Sequence, residues 1–491
     1  MNLTQYLFED TRRLDKEFIV GTKERISYRD SYARIARVSS FLRAKYHKQD
    51  RIGIIAENGI FFISAYLGII KAGSVAVLLS PRLSPLDFRE IVERCGMSAV
   101  FIQDKFRSKI DQAEVDLITE SEMEEIDPVL PGSDIFIGGD DELAVIIFTS
   151  GSTDKVKGVM LSHKNIIANT ESIISYLKLT GKDRIEVVLP FHYCYGTSLL
   201  HTHLRVGGSM VINRSIFLGS VIKEINEYNC TGFAGVPTTF SILLRNTDFK
   251  EHSYPSLYYI TQAGGKMADC LISEIRESLP ETDIYIMYGQ TEATARLSYL
   301  PPADLAGKLG SIGKGIPGVE LRVIDNQGES VAPGEVGEIV ARGDNVMLGY
   351  YNDPEGTAEV LKEGYLHTGD LATVDEEGFI YVLSREKEMI KSAGYRISPK
   401  EVKDLILTHP EVVDCAVLGV EDELLGEAIV VFFMTSNSDK DITGELKKLC
   451  NQELPSYKIP KYFRLIDRIP LNSSMKVDKL KLKELAIRQD D

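Results

Sequence analysis

Short apolar runs alternate with amphipathic segments over the first two-thirds of the chain. The run RIGIIAENG (51–59) predicts a buried strand that ends in a turn, and FFISAYLGIIKAG (61–73) predicts a helix that ends at a glycine. The next pair, SVAVLLS and LSPLDFREIVERCG, repeats this pattern, and further strands of the same kind are predicted in LAVIIFTSG, DRIEVVLPF and TDIYIMYGQTE. Because strands that alternate with helices pair in parallel, this region is predicted to be an α/β sheet covered on both faces.

The pattern changes after about residue 310. The segments GVELRVIDNQGESVAPGEVGEIVARG and DEEGFIYVLS predict short strands joined by glycine-containing turns, as in an antiparallel meander or small barrel. From about residue 388 a second unit is predicted, with helix EVKDLILTHP, strands EVVDCAVLGV and EAIVVFFMT, helix ITGELKKLCNQEL and strand FRLIDRIP. We therefore expect an N-terminal domain of residues 1–386 and an α+β C-terminal domain of residues 387–491, joined within SREKE.

Composition excludes several classes of function. The 491 residues carry 56 Lys and Arg against 72 Asp and Glu, a net charge of −16, which argues against a general nucleic-acid binder or attachment to an anionic membrane. The six cysteines show no C-x-x-C spacing, which excludes a zinc ribbon or thioredoxin-type motif and predicts reduced thiols. The N-terminus is charged where a signal peptide is apolar, and the longest apolar stretch, residues 60–70, is too short to span a bilayer. A cytoplasmic protein is predicted.

A loop rich in hydroxyl groups, glycine and lysine follows the strand LAVIIF. This segment, TSGSTDKVKG (149–158), has the groups that wrap phosphates, although a polar surface loop has the same composition. It is not a Walker P-loop, because Val159 rather than Ser or Thr follows Gly158. The string GKGIPG (313–318) precedes a strand instead of a helix, so a turn is predicted there and not a dinucleotide site.

Other polar residues follow strands in the same way. In YGQTEAT (288–294), Tyr288 could stack on a base, Thr291 could contact phosphate and Glu292 could bind Mg²⁺, while a helix N-terminus is the alternative. Asp370 and Arg385 could hold a ribose or form an ordinary surface pair. Late in the chain, GYR (394–396) is predicted to be a tight turn, and Lys476 precedes a basic helix.

In this order and spacing the segments resemble the adenylate-forming superfamily, which comprises acyl-CoA synthetases, adenylation domains of non-ribosomal peptide synthesis and firefly luciferase. The resemblance extends from about residue 20 to residue 485. It implies an α/β fold with a large N-terminal domain of two α/β sheet subdomains plus a small β-barrel, followed by a small mobile α+β C-terminal domain.

The resemblance also implies roles for individual residues. The catalytic residues would be Lys476, which bridges carboxylate and α-phosphate, Thr291 at the α-phosphate, Glu292 as the Mg²⁺ ligand, and His192. The residues that bind ATP or the pantetheine arm would be Thr149, Ser150, Gly151, Ser152, Thr153 and Lys157 at the phosphates, Ala263, Gly264, Gly265 and Tyr288 at the adenine, Asp370 and Arg385 at the ribose, and Lys391 and Gly394. Lys387 falls at the hinge. The sequence departs from the family pattern at Asp154, Val156 and Met475.

The stretch LPFHYCYGTS (189–198) falls in the region that lines the family's acyl pocket, where His192, Tyr193, Cys194 and, after Tyr288, Gly289 are the candidates. Relatives that activate amino acids have an aspartate there, and neither Tyr193 nor Cys194 is acidic, so an ordinary α-amino acid is disfavoured. His192 resembles the gating residue of many acyl-CoA ligases, and a core histidine bonded to backbone is the alternative. His201 and His203 do not make a metal site without a third ligand.

The predicted function is ATP- and Mg²⁺-dependent activation of a carboxylic acid, as a small-molecule substrate, to an acyl-adenylate, with release of pyrophosphate and transfer to the thiol of CoA. Loading of a carrier-protein phosphopantetheine, on an acyl or peptidyl carrier protein, is the alternative, since both thiols end in the same arm. A luciferase-like oxygenase has no positive signal. A regulator without catalysis is disfavoured because Lys476, Glu292 and Asp370 are all present.

Overall fold

The computed structural model describes residues 1–110, 115–127, 135–149, 156–215, 217–385, 388–422, 424–436, 440–471 and 477–487, without the side chain of Lys109. The α-helices of these residues are α1 (Leu3–Phe8), α2 (Tyr28–Lys45), α3 (Ile60–Ala72), α4 (Pro85–Cys95), α5 (Glu120–Glu124), α6 (His163–Leu177), α7 (Cys194–Val206), α8 (Gly219–Glu227), α9 (Pro237–Asn246), α10 (Asp269–Ser278), α11 (Pro354–Val360), α12 (Pro399–Ile406), α13 (Thr443–Glu453) and α14 (Lys479–Ile487). No helix within these ranges is both long enough and apolar enough to span a bilayer.

A seven-stranded sheet forms the first half of the N-terminal part. Its strands, in spatial order, are β18 (Gly349–Tyr350), β8 (Lys157–Ser162), β7 (Leu143–Thr149), β4 (Val75–Leu79), β3 (Arg51–Ile55), β5 (Ala99–Ile102) and β6 (Asp116–Thr119). The strands from β7 to β6 are parallel to one another, as the alternating pattern predicts. β8 runs antiparallel to β7, and β18 antiparallel to β8.

A nine-stranded sheet forms the second half. Its strands, in spatial order, are β15 (Lys314–Gly315), β14 (Ser298–Leu300), β13 (Asp283–Tyr288), β12 (Tyr259–Gln262), β11 (Gly232–Gly235), β9 (Arg184–Val187), β10 (Ser209–Ile212), β1 (Glu17–Ile19) and β2 (Ile26–Ser27). The strands from β13 to β1 are parallel, and the outer strands are antiparallel.

One hydrophobic core joins the two sheets. It contains Ile52 and Ile54 of β3 together with Val187 of β9 and Met210 of β10. Helix α3 contributes to this core along almost its whole length, because all its residues except Ile60 are buried. A helix that is apolar on every side must be enclosed by other elements, and this explains why its sequence lacks the amphipathic pattern of α4. The two sheets therefore meet across buried helices.

Two smaller sheets follow. The antiparallel one comprises β16 (Val319–Ile324), β17 (Gly337–Gly343), β20 (Tyr365–Val374), β19 (Leu361–Lys362) and β21 (Ile380–Arg385). The C-terminal sheet comprises β23 (Tyr395–Ile397), β22 (Ile390–Ser392), β25 (Gly426–Thr435), β24 (Val412–Asp422) and β26 (Tyr462–Leu465), with α12, α13 and α14. These sheets and helices confirm the predicted fold class, while the boundary between residues 386 and 387 lies outside the described residues and stays a prediction.

The C-terminal unit contacts helix α9 of the N-terminal part. The Thr238 hydroxyl donates a hydrogen bond of 2.9 Å to Asp414 Oδ2 at the start of β24. Arg245, at the other end of α9, donates to the carbonyl of Leu407 at 2.9 Å. One hydrophobic cluster also contains Leu243 of α9 and Val412 of β24, so both polar and apolar contacts hold the C-terminal unit against this helix.

Candidate active site

The two strands that flank the predicted phosphate loop pair antiparallel. Thr149 ends β7, Lys157 begins β8, and the two residues are cross-strand partners. The edge strand β18 adds to β8, with Tyr350 opposite Val159. This pairing places the Lys157 ammonium 4.5 Å from the centre of the Tyr350 ring and 3.8 Å from Asp353 Oδ2. A partly buried cation thus lies at the base of the loop.

The YGQTEAT segment turns sharply after β13. A Cβ atom at Gly289 would lie 2.1 Å from the carbonyl oxygen of Ala295, so only glycine lets the chain fold back this closely. Thr291–Ala293 form one turn of 3₁₀ helix, with Thr291 and Glu292 at its start, as in the helix N-terminus considered as an alternative. Glu292 Oε1 accepts a hydrogen bond of 2.9 Å from the Tyr350 hydroxyl. Burial and the adjacent Glu292 raise the pKa of Tyr350, so this phenol stays a hydrogen-bond donor.

Glu292 therefore lies beside the Lys157 end of the hairpin. Its second oxygen, Oε2, makes no hydrogen bond to a described residue. The described residues hold no group of three His, Cys, Asp or Glu side chains that could bind a metal by themselves. Mg²⁺ in phosphate-transfer sites is often held by one or two carboxylates together with the phosphates of the substrate. A single available carboxylate oxygen, next to the hairpin that is predicted to bind phosphate, fits Mg²⁺ that arrives with ATP.

Asp370 is the centre of a second polar cluster. It faces Arg385 across the β20–β21 pair, and Arg385 Nε donates to Asp370 Oδ1 at 3.0 Å. The Tyr288 hydroxyl donates to Asp370 Oδ2 at 2.7 Å. Burial, and then the nearby Asp370 carboxylate, raise the pKa of Tyr288. The structure thus brings together three residues that are far apart in the sequence and were predicted to bind adenine and ribose.

The turn after β12 lies beside this cluster, because β12 and β13 are adjacent and parallel. Ala263 is buried, and Gly264 has a φ of +87°, which favours glycine. The Gln262 side chain closes the turn by donating to the carbonyl of Gly265 at 2.6 Å. Carboxyl ends of neighbouring parallel strands are where open α/β sheets bind ligands, and here they carry the three residues of the predicted adenine wall.

Helix α7 presents the predicted acyl-pocket residues. His192 lies partly buried in the turn before the helix, and Tyr193 is the residue that precedes its first turn. The Cys194 thiol is buried and lies 3.5 Å from the Thr291 hydroxyl. A Cβ atom at Gly196 would lie 2.1 Å from the carbonyl oxygen of Pro190, so this glycine lets the helix pack against the chain that enters it. Cys194 therefore belongs to the packed interior and at the same time borders the site.

The two histidines further along α7 are engaged in packing. His201 Nε2 lies 2.9 Å from the Tyr66 hydroxyl, and His203 Nδ1 lies 2.9 Å from the carbonyl oxygen of Leu199. Burial lowers the pKa of His201 to about 3 and that of His203 to about 4. Both rings are therefore neutral at physiological pH.

Several predicted residues lie elsewhere. Lys391 is exposed on β22, and Gly394 is exposed in the turn to β23, where no heavy atom lies within 4 Å of a Cβ built on it. In this arrangement neither residue belongs to the clusters around Glu292 and Asp370. Outside the described residues are the loop residues Ser150, Gly151, Ser152 and Thr153, the hinge residue Lys387, and Lys476.

Sequence reasoning missed Tyr350, which joins Lys157 to Glu292. Its segment, LGYYND, gives an unremarkable strand and turn pattern. Tyr350 reaches the site only because the two-residue strand β18 pairs with β8, and such a short strand has no periodicity to detect. The ring beside a lysine and the hydroxyl beside a carboxylate appear only in three dimensions.

Comparison with known proteins gives matches over nearly the whole chain. The AMP-binding enzyme family matches residues 9–351, and the AMP-binding enzyme C-terminal domain matches residues 401–476. The long-chain-fatty-acid–CoA ligase of Escherichia coli O157:H7 is 28% identical, over 98% of this chain and 94% of that protein. The 2-succinylbenzoate–CoA ligase of Bacillus velezensis is 32% identical, over 93% of this chain and 92% of that protein.

A solved structure shows the same architecture. The o-succinylbenzoate CoA synthetase of Bacillus subtilis, in complex with ATP and a magnesium ion, is 29% identical and superposes with a TM-score of 0.86, over 98% of this chain and 99% of that one. The same enzyme, in complex with its acyl-adenylate intermediate, also gives a TM-score of 0.86.

Proposed function

The chain belongs to the family of AMP-binding enzymes and is an AMP-forming acid–thiol ligase, and we propose that the two polar clusters described above hold the two ends of its MgATP. The reaction has two steps. The substrate carboxylate attacks the α-phosphorus of ATP, which releases pyrophosphate and forms an acyl-adenylate. The thiol of CoA then attacks the acyl carbon, which releases AMP and forms the thioester.

The observation that carries this assignment of residues is the position of the two clusters at the two ends of one short segment. Tyr288 belongs to the Asp370 cluster, which it forms with Arg385. Glu292, four residues later, belongs to the Lys157 cluster, in which Tyr350 contacts both Glu292 and Lys157. A nucleotide that lies along this segment would have its ribose at Asp370 and its phosphates at Glu292 and Lys157. Thr291, between the two ends, would then face the α-phosphate.

At the nucleoside end, the carboxylate of Asp370 suits a ribose because it can accept hydrogen bonds from both hydroxyls. Arg385 and the Tyr288 hydroxyl fix the carboxylate at 3.0 and 2.7 Å, so its orientation is set before the nucleotide binds. The Tyr288 ring provides an apolar face for the base, next to the backbone of Ala263–Gly265.

At the phosphate end, charge is the main difficulty, because the attacking carboxylate and the triphosphate are both anionic. Bound Mg²⁺ would neutralise phosphate charge, and Glu292 is the residue placed to hold it. Lys157 adds a cation at the base of the phosphate hairpin, and the Thr291 hydroxyl can donate to a phosphate oxygen. Lys476, outside the described residues, is proposed to supply the remaining cation.

Of the two acceptors considered, we propose CoA, in agreement with the relatives, which are CoA ligases. We also propose a location in the cytoplasm. In support of it, all six cysteines are unpaired thiols, and five of them are buried, which is typical of proteins that fold in a reducing compartment.

The test is a panel of carboxylic acids offered with ATP and Mg²⁺, measured for pyrophosphate release and for thioester formation. Each acid is assayed with CoA and, in parallel, with a carrier protein that bears phosphopantetheine. We expect both pyrophosphate and acyl-CoA. Thioester on the carrier protein alone would overturn CoA as the acceptor. Activity that survives Asp370→Asn and Glu292→Gln together would overturn the assignment of the two clusters.

A further inference from the structure

Arg296 is a buried arginine that the reaction described above does not use. It lies four residues after Glu292, and only 2% of its surface is exposed. Its backbone is fixed by two amides, because its carbonyl accepts hydrogen bonds from Asn169 Nδ2 at 3.0 Å and from Asn345 Nδ2 at 2.9 Å. The residue is therefore held firmly in the wall of the site.

The Arg296 guanidinium has no anionic partner among the described residues. Its Cζ lies 3.9 Å from the centre of the Tyr195 ring, its Nε lies 3.3 Å from Met287 Sδ, and its Nη1 donates to the carbonyl of Ala295 at 3.3 Å. With a hydrogen bond to the Tyr176 phenol, these contacts are an aromatic face, a thioether, one carbonyl and one hydroxyl, all of them neutral. Buried arginines are normally paired with a carboxylate, so this one has capacity for an anion.

The surroundings of the guanidinium place it on the acyl side of the site. Tyr195 follows Cys194, whose thiol contacts Thr291, and Met287 precedes Tyr288 at the end of β13. The Tyr193 hydroxyl lies close enough to Arg296, Glu292 and Arg385 for all three charges to influence it. The guanidinium and the residues proposed to bind the nucleotide thus lie near the same tyrosine.

An adjoining cavity has a mixed lining. Apolar side chains such as Ile147 and Leu161 line it together with the polar side chains of Asn169, Thr197 and Thr294. The Asn169 side chain, which holds the Arg296 carbonyl through its Nδ2, has a buried Oδ1 without a hydrogen-bond partner. A pocket for an unbranched alkyl chain gains nothing from a buried cation and an unsatisfied amide oxygen. Both features suit a substrate with a polar group.

We propose that Arg296 determines the substrate class by binding a second carboxylate, so that the enzyme activates one end of a dicarboxylic acid. The inference rests on the proposed function and extends it to the substrate. One carboxylate would be directed toward Thr291 and the α-phosphate, while the other would pair with the guanidinium. A substrate ammonium in this pocket would be repelled, which agrees with the absence of an acidic residue at Tyr193 and Cys194.

The experiment compares matched pairs of acids: succinate with butyrate, glutarate with pentanoate, and adipate with hexanoate. For each, kcat/KM for acyl-CoA formation is measured in the wild type and in Arg296→Met, Arg296→Lys and Arg205→Met. We expect the wild type to prefer the diacid of at least one pair by tenfold or more. Arg296→Met should lower kcat/KM for that diacid about 100-fold, as when one partner of a buried charge pair is removed, with Arg296→Lys intermediate and little change for the matched monoacid.

Arg205→Met is the matched control, because the Arg205 guanidinium also stacks on a tyrosine ring, 4.5 Å from the centre of Tyr6, away from the site. It should leave the preference unchanged. The inference is overturned if the wild type prefers monoacids throughout, or if Arg296→Met lowers kcat/KM equally for both members of every pair. The wild-type preference and Arg296→Lys decide the question if Arg296→Met does not fold. If the wild type makes no thioester from any acid, the proposed function itself fails.

Discussion

Glu292 is held by a single hydrogen bond from a buried tyrosine, and this makes its role testable at the scale of one residue. We expect Glu292→Gln to lower the rate of adenylation by at least 100-fold, since it removes the charge that would bind Mg²⁺ while an amide oxygen can still accept from Tyr350. The folded state should lose no more than about 1 kcal/mol, as expected when a charge-assisted hydrogen bond becomes a neutral one. Pyrophosphate exchange at several Mg²⁺ concentrations measures the first effect, and urea unfolding measures the second.

Tyr350→Phe is the companion variant. It keeps the ring beside Lys157 and removes only the hydroxyl that orients Glu292. We expect a smaller loss, on the order of tenfold, that is partly restored by higher Mg²⁺, because the carboxylate remains but is no longer fixed. Normal exchange by Glu292→Gln, or equal losses in both variants, would contradict the proposed roles.

Single residues also show what the sequence can and cannot predict. Tyr288 and Arg385 are predictable as candidates because each ends a strand, where ligand-binding groups concentrate, whereas Asp370, predicted to lie in a turn, lies inside β20. That Tyr288 and Arg385 share one carboxylate is not predictable, since this depends on how β13 lies against the β20–β21 pair. Arg296 reads as an ordinary charge beside a strand, and only its burial shows otherwise.

At the scale of elements, helix α7 illustrates how local sequence sets the site. Gly196→Ala places a methyl group 2.1 Å from the carbonyl oxygen of Pro190, which is backbone and cannot move alone. We expect a loss of about 2–3 kcal/mol in the free energy of unfolding, and lower activity, because the helix must shift and it carries Tyr193 and Cys194. Urea unfolding and the adenylation assay measure the two effects.

Gly444→Ala in α13 is the matched control, since nothing lies within 4 Å of a Cβ built there. That variant should be neutral or more stable by up to about 1 kcal/mol, as for alanine in place of glycine in an exposed helix. If both variants have the same stability, the close approach at Gly196 does not constrain α7.

Element types and order follow from periodicity with few exceptions. The helices α3 and α4 end at Gly73 and Gly96, which have φ of +82° and +55°, as the glycines in the sequence predict. The pairing of β8 with β7 and β18 does not follow, because periodicity within a strand carries no information about its distant neighbours. From the sequence the predicted phosphate loop follows a parallel strand, and the structure shows that the strands on its two sides pair antiparallel.

For the molecule as a whole, buried histidines set the response to acid. Burial lowers the pKa of His163 to about 4, as it lowers that of His201 to about 3 and that of His203 to about 4, from the usual 6.5. Below about pH 6.5 the unfolded chain binds protons at these residues that the folded protein does not, so stability falls as the pH falls toward 4. Each histidine contributes up to about 1.4 kcal/mol per pH unit in this window.

Urea unfolding between pH 5 and 7 tests this expectation. The midpoint should drop steeply below pH 6.5, and His201→Gln should reduce the slope by roughly the share of one histidine. His47→Gln is the control, because the His47 side chain is 95% exposed. A midpoint that stays constant from pH 7 to pH 5 would contradict the expectation.

The C-terminal unit raises the largest question about the whole molecule, because two residues predicted for it serve different half-reactions. Lys476 is expected to assist adenylation and Gly394 to admit the pantetheine arm, yet Gly394 faces open space in this arrangement. A Cβ atom at Gly394 would meet no neighbour within 4 Å here, so the main penalty expected for Gly394→Leu is backbone strain at a φ of +82°, about 1–2 kcal/mol. Gly378 has the same φ and also meets nothing within 4 Å, which makes Gly378→Leu an ideal control.

If this were the only arrangement of the C-terminal unit, the two leucine variants would behave alike. We expect instead that Gly394→Leu slows capture of the acyl group by CoA while first-turnover pyrophosphate release persists, and that Gly378→Leu slows neither step. Lys476→Ala should do the reverse. The rate of adenylation should fall by a factor that corresponds to about 3–4 kcal/mol of activation free energy, as when one donor aimed at developing charge is removed. The same variant should convert chemically prepared acyl-adenylate to thioester at a near-normal rate. Opposite effects of Gly394→Leu and Lys476→Ala require the unit to present different faces to one site in turn, whereas equal slowing of both half-reactions by Lys476→Ala would exclude such alternation.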